Sequence, residues 1–131
     1  MATLNTTLTI SSTDATSDQL SFTLVDSLSV TSPLAGLSKV IADTTGANNI
    51  VVPATGGTIT YFYCRHTGTT DGSTATTQLI DVEETGDAAF ARLGPGEFML
   101  IPFCHHAGNV GVQFQSVSGN IQMEYAYWTK S

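Results

Sequence analysis

The chain of 131 residues is 41% hydrophobic and only 11% charged, and its net charge at pH 7 is −7. It contains only four basic residues, too few for the basic stripe that binding to nucleic-acid phosphates or to an anionic membrane surface requires. No apolar run approaches the roughly 20 residues of a membrane span, and the first residues lack the features of a signal peptide. These properties predict a protein without nucleic-acid or membrane partners that folds in a cytoplasm, where its two cysteines are free thiols.

The chain has few charged residues but is rich in residues with hydroxyl side chains and in glycine, with 21 Thr, 12 Ser and 12 Gly. Thr is β-branched and favours strands, whereas Ser and Gly favour turns. Aromatic and aliphatic residues are too plentiful for a disordered chain. The composition therefore predicts an all-β protein.

Taken in chain order, apolar and polar residues alternate, as they do in strands whose successive side chains point to opposite faces. The stretches "LSFTL", "VGVQF" and "IQMEYAY" are examples, and turn signals such as "ATGG", "GTTDGST" and "GPGE" separate the runs. The alternation predicts strands near 6–11, 19–25, 28–32, 38–42, 49–53, 58–66, 76–83, 88–92, 97–104, 110–117 and 121–128.

Eleven short strands spaced about ten residues apart are typical of a two-sheet antiparallel β-sandwich of jelly-roll-like type. No linker, repeat or low-complexity segment divides the chain. We therefore predict a single β-sandwich domain over residues 1–131, in which the polar residues 1–12 can extend as an N-terminal arm over a neighbour.

Two predicted strands carry aromatic residues on both faces. In "TITYFYCRH" Tyr61 and Tyr63 point to one face and Phe62 to the other, and in "MEYAYWTK" Tyr125 and Tyr127 oppose Trp128. In a sandwich only one face of a strand looks inward, so either a loop covers the second face or a subunit interface does. Tyr and Trp suit an interface because they combine a large apolar area with a polar tip.

Cysteine and histidine residues cluster in two of the predicted strands. Alternation places Cys64 and His66 on one face of their strand, and Cys104 and His106 on one face of another. If these strands were antiparallel neighbours, the four side chains would form a set that tetrahedral zinc accepts. The alternative is that the cysteines are small buried hydrophobic residues and that the histidines cap strand ends or lie at an interface.

Part of this region resembles the second motif of cupins, which are jelly-roll metal proteins. Gly96, Pro102, His106 and Asn109 are similar to its glycine, proline, histidine and asparagine, but Cys104 replaces the glycine after the proline. The first cupin motif begins with His-x-His, for which this chain has "CRH", and no glutamate follows it at the expected position. The resemblance implies a small metal-dependent enzyme, whereas the departures remove most of its metal ligands.

Several longer stretches resemble short β-rich virion proteins of tailed bacteriophages, among them "TLTISSTDATSDQLSFTLVDSLSV", "YFYCRHTGTTDGST" and "DVEETGDAAFARLGPGEFMLIPF". The resemblance implies a non-enzymatic structural protein of the virion that needs no cofactor and is assembled in the host cytoplasm. Within that class it implies a capsid decoration (cement) protein, which binds the major capsid protein or other virion proteins as a small homo-oligomer, with a trimer favoured. A phage tail or fibre component with a ligand-binding sandwich is the alternative.

Such a protein acts through contact surfaces rather than through chemistry. The candidate contact residues are the tyrosines and the tryptophan of the two strands that carry aromatic side chains on both faces, and the two adjacent histidines at the end of another strand. They are Tyr61, Tyr63, His105, His106, Tyr125, Tyr127 and Trp128. We expect no catalytic residue and no bound metal, with Cys64, His66, Cys104 and His106 as the alternative metal ligands.

Overall fold

The computed structural model describes residues 2–32, 36–53, 58–104 and 110–131, and this part of the chain is built of ten β-strands. The one helix within it is a single 3-10 turn, Gly46–Asn48, and none of its helices is long and apolar enough to cross a membrane. The strands are β1 (Ala2–Ser12), β2 (Leu20–Ser32), β3 (Ser38–Ala42), β4 (Ile50–Val52), β5 (Ile59–His66), β6 (Ile80–Glu84), β7 (Ala89–Leu93), β8 (Phe98–Cys104), β9 (Val112–Ser116) and β10 (Ile121–Lys130).

The strands form two antiparallel sheets, as in a β-sandwich. The large sheet has the order β1-β2-β10-β5-β8, and β3 also pairs with β10. The small sheet has the order β4-β9-β6-β7. The prediction of an all-β chain with two antiparallel sheets is confirmed.

Strands β3 to β10 pair in a nested pattern. The antiparallel pairs are β3 with β10, β4 with β9, β5 with β8, and β6 with β7, so each pair encloses the next along the chain. Two further antiparallel pairs, β10 with β5 and β9 with β6, divide the nested strands between the two sheets. The strands β3 to β6 therefore come first along the chain, and their partners β7 to β10 follow in the reverse order.

The core lies between the sheets, because alternation directs every second side chain of strands β3 to β10 towards the opposite sheet, and these side chains are mainly apolar. Phe62 of β5 and Phe114 of β9 meet there, with ring centroids 6.2 Å apart. Tyr125 of β10 places its ring edge against Phe114, at 6.3 Å. The buried members of this cluster are Ala42, Val51, Val52, Phe62, Cys64, Ile80, Val82, Leu93, Phe103, Val112, Phe114, Ile121 and Met123.

The N-terminal region is a long hairpin. Strand β1 pairs with β2 along its whole length, from Ala2 opposite Val30 to Ser12 opposite Leu20. The residues predicted as an N-terminal arm, apart from residue 1, which is not described, thus form β1. In the pairing with β10, β2 uses only its end, where Thr129 is opposite Ser32 and Lys130 opposite Val30.

The predicted strand boundaries differ from the structure by more than two residues in three places. The strand predicted over 6–11 begins at Ala2, because β1 pairs with β2 as far as Val30. The predicted strands 19–25 and 28–32 are one continuous strand, β2, because the alternation resumes in the same phase after Asp26 and Ser27. The strand predicted over 76–83 begins only at Ile80, because residues 67–79 form a loop that has its own hydrogen bonds.

Candidate functional site

The outward faces of the two sheets differ in chemistry. On the small sheet, Arg92 forms an ion pair with Asp81, with Nε and Oδ1 2.6 Å apart, and the Gln113 amide donates to Glu83 Oε2 at 2.9 Å. Arg92 is exposed to water, whereas Glu83 and Gln113 are buried and satisfy each other. On the large sheet, the outward positions of the neighbouring strands β5 and β8 carry mainly aromatic and apolar side chains, with Arg65 as the charged exception. This part of the large sheet therefore carries the candidate contact surface.

This surface, which we call the aromatic face, is centred on β5. The register places Tyr61 between Pro102 of β8 and Trp128 of β10, and Tyr63 between Leu100 and Ala126. Next along β8, Phe98 is opposite Arg65. The aromatic face is thus formed by Tyr61, Tyr63, Phe98, Leu100, Pro102 and Trp128.

Residues of the aromatic face are covered to different degrees. Tyr61 is buried, with 8% of its surface exposed, although it lies outside the main core cluster. Tyr63 and Trp128 are half-buried. The Tyr63 hydroxyl donates to Glu124 Oε1 at 3.1 Å, and burial, followed by this carboxylate, raises the pKa of Tyr63. Phe98 and Leu100 are exposed.

The predicted contact residues do not all lie on one surface. Tyr61, Tyr63 and Trp128 share the aromatic face, whereas Tyr125 and Tyr127 point inward and pack against the core. The reason is the phase of β10, in which odd-numbered residues from Ile121 onward face the small sheet. His105 and His106 lie outside the described residues.

The hairpin carries a second apolar surface that sequence reasoning did not identify as a contact site. Leu8 is directly opposite Leu24, and Ile10 is directly opposite Phe22, so that all four share one face. Their exposed fractions are 41%, 59%, 39% and 45% in that order. Together with the half-buried Leu4 and Leu28 at the base, these residues form what we call the hairpin face.

The apolar residues of the hairpin face follow the alternation of the sequence. The pattern at Leu20, Phe22 and Leu24 predicts a strand with one apolar face, but a sandwich strand was expected to bury that face in the core. Because pairing joins β2 to β1 and only the end of β2 to β10, the apolar side chains of the hairpin do not reach the space between the sheets.

A groove of about 500 Å³ separates the hairpin from the aromatic face. Leu8 and Leu24 line one wall, and Tyr63, Phe98 and Leu100 line the other. Among the described residues that line the groove, none is charged; the full set is Thr6, Thr7, Leu8, Leu24, Tyr63, Phe98, Met99, Leu100 and Ile101. The hairpin face and the aromatic face are therefore adjacent parts of one apolar surface.

The alternative zinc site does not assemble. Cys64 points into the core, whereas Cys104 is exposed and pairs with Ile59, five residues before Cys64 on β5. Five residues of strand span roughly 17 Å, so the two sulfur atoms cannot bind one ion. His106 lies outside the described residues, and within those that are described no group of three or more His, Cys, Asp or Glu side chains is placed to hold a metal.

His66 has a structural role at the end of β5. Its Nδ1 accepts a hydrogen bond from the Gly68 N–H at 2.9 Å, which leaves the proton of the neutral ring on Nε2. Nε2 then donates to the carbonyl oxygen of Gln78 at 3.0 Å. The ring is fully buried, and with both nitrogens occupied it ties the two ends of the loop 67–79 together.

Comparison with protein families, curated proteins and solved structures finds no match for this chain.

Proposed function

We propose that this protein is a non-enzymatic structural component of a tailed-phage virion, and specifically a capsid decoration protein that stabilises the assembled shell. The observation that carries the proposal is the apolar surface formed by the hairpin face, the groove and the aromatic face, which the described part of the chain leaves open. Apolar patches of this size mark sites of protein contact. The proposed partner is the major capsid protein or another virion protein.

A decoration protein stabilises a shell by mass action. If it binds the assembled shell and not the separate subunits, binding lowers the free energy of the assembled state alone. The surface required is apolar and rigid, and two antiparallel sheets around a packed core provide rigidity. The net charge of −7 would keep unbound copies soluble and apart before they meet the shell.

We further propose that the two sheets are connected as a jelly roll. The nested pairs of β3 with β10, β4 with β9, β5 with β8 and β6 with β7 support this, because a jelly roll is an eight-stranded hairpin rolled into two sheets. On this view β1 and β2 are an added N-terminal hairpin. Jelly rolls occur in viral capsid proteins and also in lectins and cupins, so the connectivity by itself selects no function.

A tail or fibre component that binds a ligand is the second candidate. The groove favours it, because a volume of about 500 Å³ lies within the range of small-molecule sites. Its lining is mainly apolar, so the ligand would be largely apolar as well.

Cryo-electron microscopy and mass spectrometry of purified virions of the phage that encodes this chain test the proposal. We expect the chain at regular positions on the capsid, and we expect capsids assembled without it to break at a lower temperature than capsids that carry it. Density confined to the tail would support the second candidate instead. Virions that contain no copy of the chain would refute both.

A further inference from the structure

We propose that the groove beside β8 binds an extended, uncharged segment of another virion protein, which pairs with the outer edge of β8 as an added strand. This partner is the one named in the proposed function, on which the inference rests. The direction of the backbone groups of β8, the properties of the other sheet edges, and the lining and size of the groove support it.

Every second residue of β8 directs its backbone groups away from the sheet. Among the described strands, β8 pairs only with β5. The His66 N–H donates to the Glu97 carbonyl at 2.9 Å, and the His66 carbonyl accepts from the Gly96 N–H at 3.0 Å. The even-numbered residues of β5 therefore direct their backbone groups towards β8, and odd-numbered residues of β8 lie opposite them. It follows that Phe98 and Leu100 direct their N–H and C=O groups outward.

The outward backbone groups of Phe98 and Leu100 have no backbone partner in the described part of the chain. Pro102 lies in the same phase but has no N–H, as is common for a proline on an edge strand. An added strand can therefore pair with β8 over residues 98–101. These are also the residues of β8 that line the groove, so the edge that can pair and the wall of the groove are the same stretch.

The other sheet edges are less suited to the addition of a strand. Strands β3, β4 and β7 are five, three and five residues long, and β3 and β7 carry Lys39 and Arg92. Short edge strands and charged side chains protect a sheet edge against pairing with another chain. Strand β1 is long and uncharged, but it lines the same groove through Thr6, Thr7 and Leu8. The groove thus lies where the edges lack this protection.

The chemistry of the groove selects an uncharged polypeptide segment as its occupant. The described lining has no charged residue, so a charge on the occupant would be buried without a partner. An apolar molecule without hydrogen-bonding groups would cover the outward N–H and C=O groups of Phe98 and Leu100 and leave them unpaired, which is unfavourable. The backbone of an extended segment supplies both donors and acceptors at the spacing of β8.

The size of the groove also fits such a segment. A strand occupies about 160 Å³ per residue, from spacings of roughly 3.3 Å along the strand, 4.8 Å between strands and 10 Å between layers. A groove of about 500 Å³ then holds about three residues, close to the four residues of β8 that line it. Leu8 and Leu24 on the opposite wall would cover the side chains of the added segment.

Fluorescence anisotropy with labelled synthetic peptides tests the inference. The peptides overlap and cover the other virion proteins of the phage that encodes this chain, and also the chain itself. We expect a peptide from another virion protein to bind the wild type, and to bind Leu100→Pro on the order of tenfold or more weakly, because proline removes the outward N–H. The matched control Leu100→Val keeps the N–H and an apolar side chain, so binding should stay within about twofold.

Amide hydrogen exchange followed by NMR supplies a second readout that needs no variant. In the free chain, the amides of Phe98 and Leu100 should exchange faster than those of Met99 and Ile101, which pair with β5. With the peptide bound, the exchange of Phe98 and Leu100 should slow by on the order of tenfold or more, because the added strand accepts their N–H groups. Circular dichroism checks that Leu100→Pro folds.

Failure of every peptide to bind the wild type would overturn the inference. So would equal binding to the wild type and to folded Leu100→Pro, or unchanged exchange of Phe98 and Leu100 in the complex. Binding only by peptides of this chain would identify a second copy as the occupant and overturn the choice of partner. Binding only by a tail-protein peptide would refute capsid decoration and leave this inference standing. Chains on the capsid with no density beside β8 would refute this inference alone.

Discussion

At the scale of single residues, Cys64 and Cys104 show how pairing sets the chemistry of a side chain. Both lie on neighbouring strands of the large sheet, but they occupy opposite faces of it. Burial raises the pKa of the Cys64 thiol to about 12, whereas Cys104 is exposed at the end of β8. Only a thiolate that reagents can reach is reactive, so the two cysteines should differ sharply in reactivity.

We expect a disulfide reagent at pH 8 to modify one thiol of the folded protein quickly and the other only after unfolding. With a pKa near 12, about one part in ten thousand of Cys64 is thiolate at that pH, and its side chain is buried. Absorbance of the released reagent measures the number of thiols that react. The Cys104→Ser variant should show no fast reaction. Rapid reaction of two thiols in the folded wild type would contradict the prediction.

Tyrosines show the same dependence on pairing. Tyr63 and Tyr127 belong to similar aromatic stretches, yet Tyr63 points outward and Tyr127 packs against the core. The local sequence around each tyrosine does not reveal this difference. It follows from the phase of each strand relative to the opposite sheet, and that phase depends on contacts between residues far apart in the chain.

At the scale of elements, the loop 67–79 is held by hydrogen bonds within itself and, at Thr67 and Thr69, by hydrogen bonds to Gln122 of β10. Asp71 Oδ1 accepts the N–H groups of Thr74 at 2.8 Å and of Ser73 at 3.0 Å. These bonds, that of Thr74 foremost, lower the pKa of Asp71 to about 2 although its side chain is exposed. His66 closes the loop at its base through Gly68 and Gln78.

Asp71 should therefore make the loop sensitive to acid. The folded pKa lies below the ordinary value of 3.8, so its stabilising contribution is fully present above about pH 4 and is lost as the pH falls towards 2. We expect the amide resonances of Ser73 and Thr74 to titrate with a midpoint near pH 2, measured by NMR. In Asp71→Asn they should not titrate in this range. A midpoint near 3.8 in the wild type would mean that the carboxylate is not held by these bonds.

Among the elements, strands were the most predictable feature of the chain. Nine of the eleven predicted strands match strands of the structure to within two residues, counting 19–25 and 28–32 as joined in β2, because each strand has its own alternation. The hairpin was predicted as three strands, 6–11, 19–25 and 28–32, and its pairing was not predicted. A period of two residues shows that a strand has an apolar face, but the partner that covers this face lies elsewhere in the chain or in another molecule.

At the scale of the whole molecule, stability depends on contact between the sheets. Phe114 of the small sheet is fully buried and meets Phe62 and Tyr125 of the large sheet. In the described part of the chain, no other aromatic ring contacts two rings of the opposite sheet. Phe114 is therefore the side chain whose loss should separate the sheets most.

We expect Phe114→Ala to lower the free energy of unfolding by about 3–5 kcal/mol, because it leaves a cavity between the sheets. Phe98→Ala is the matched control, since Phe98 is 62% exposed on the aromatic face, and its effect should be within about 0.5 kcal/mol. Chemical denaturation of dilute protein measures both values. Equal losses for the two variants would show that the core between the sheets does not dominate stability.

The sequence by itself determined that the chain is all-β, where most strands lie, and that acidic charge outweighs basic charge. These properties follow from local alternation, turn residues and composition, which any segment carries without its partners. Only the tertiary structure decided that Cys64 and Cys104 lie on opposite faces, that Tyr125 faces the core, and that the outer half of the hairpin has no cover within the described chain. The physical reason is that strand pairing joins distant residues, and alternation is equally compatible with either face being buried.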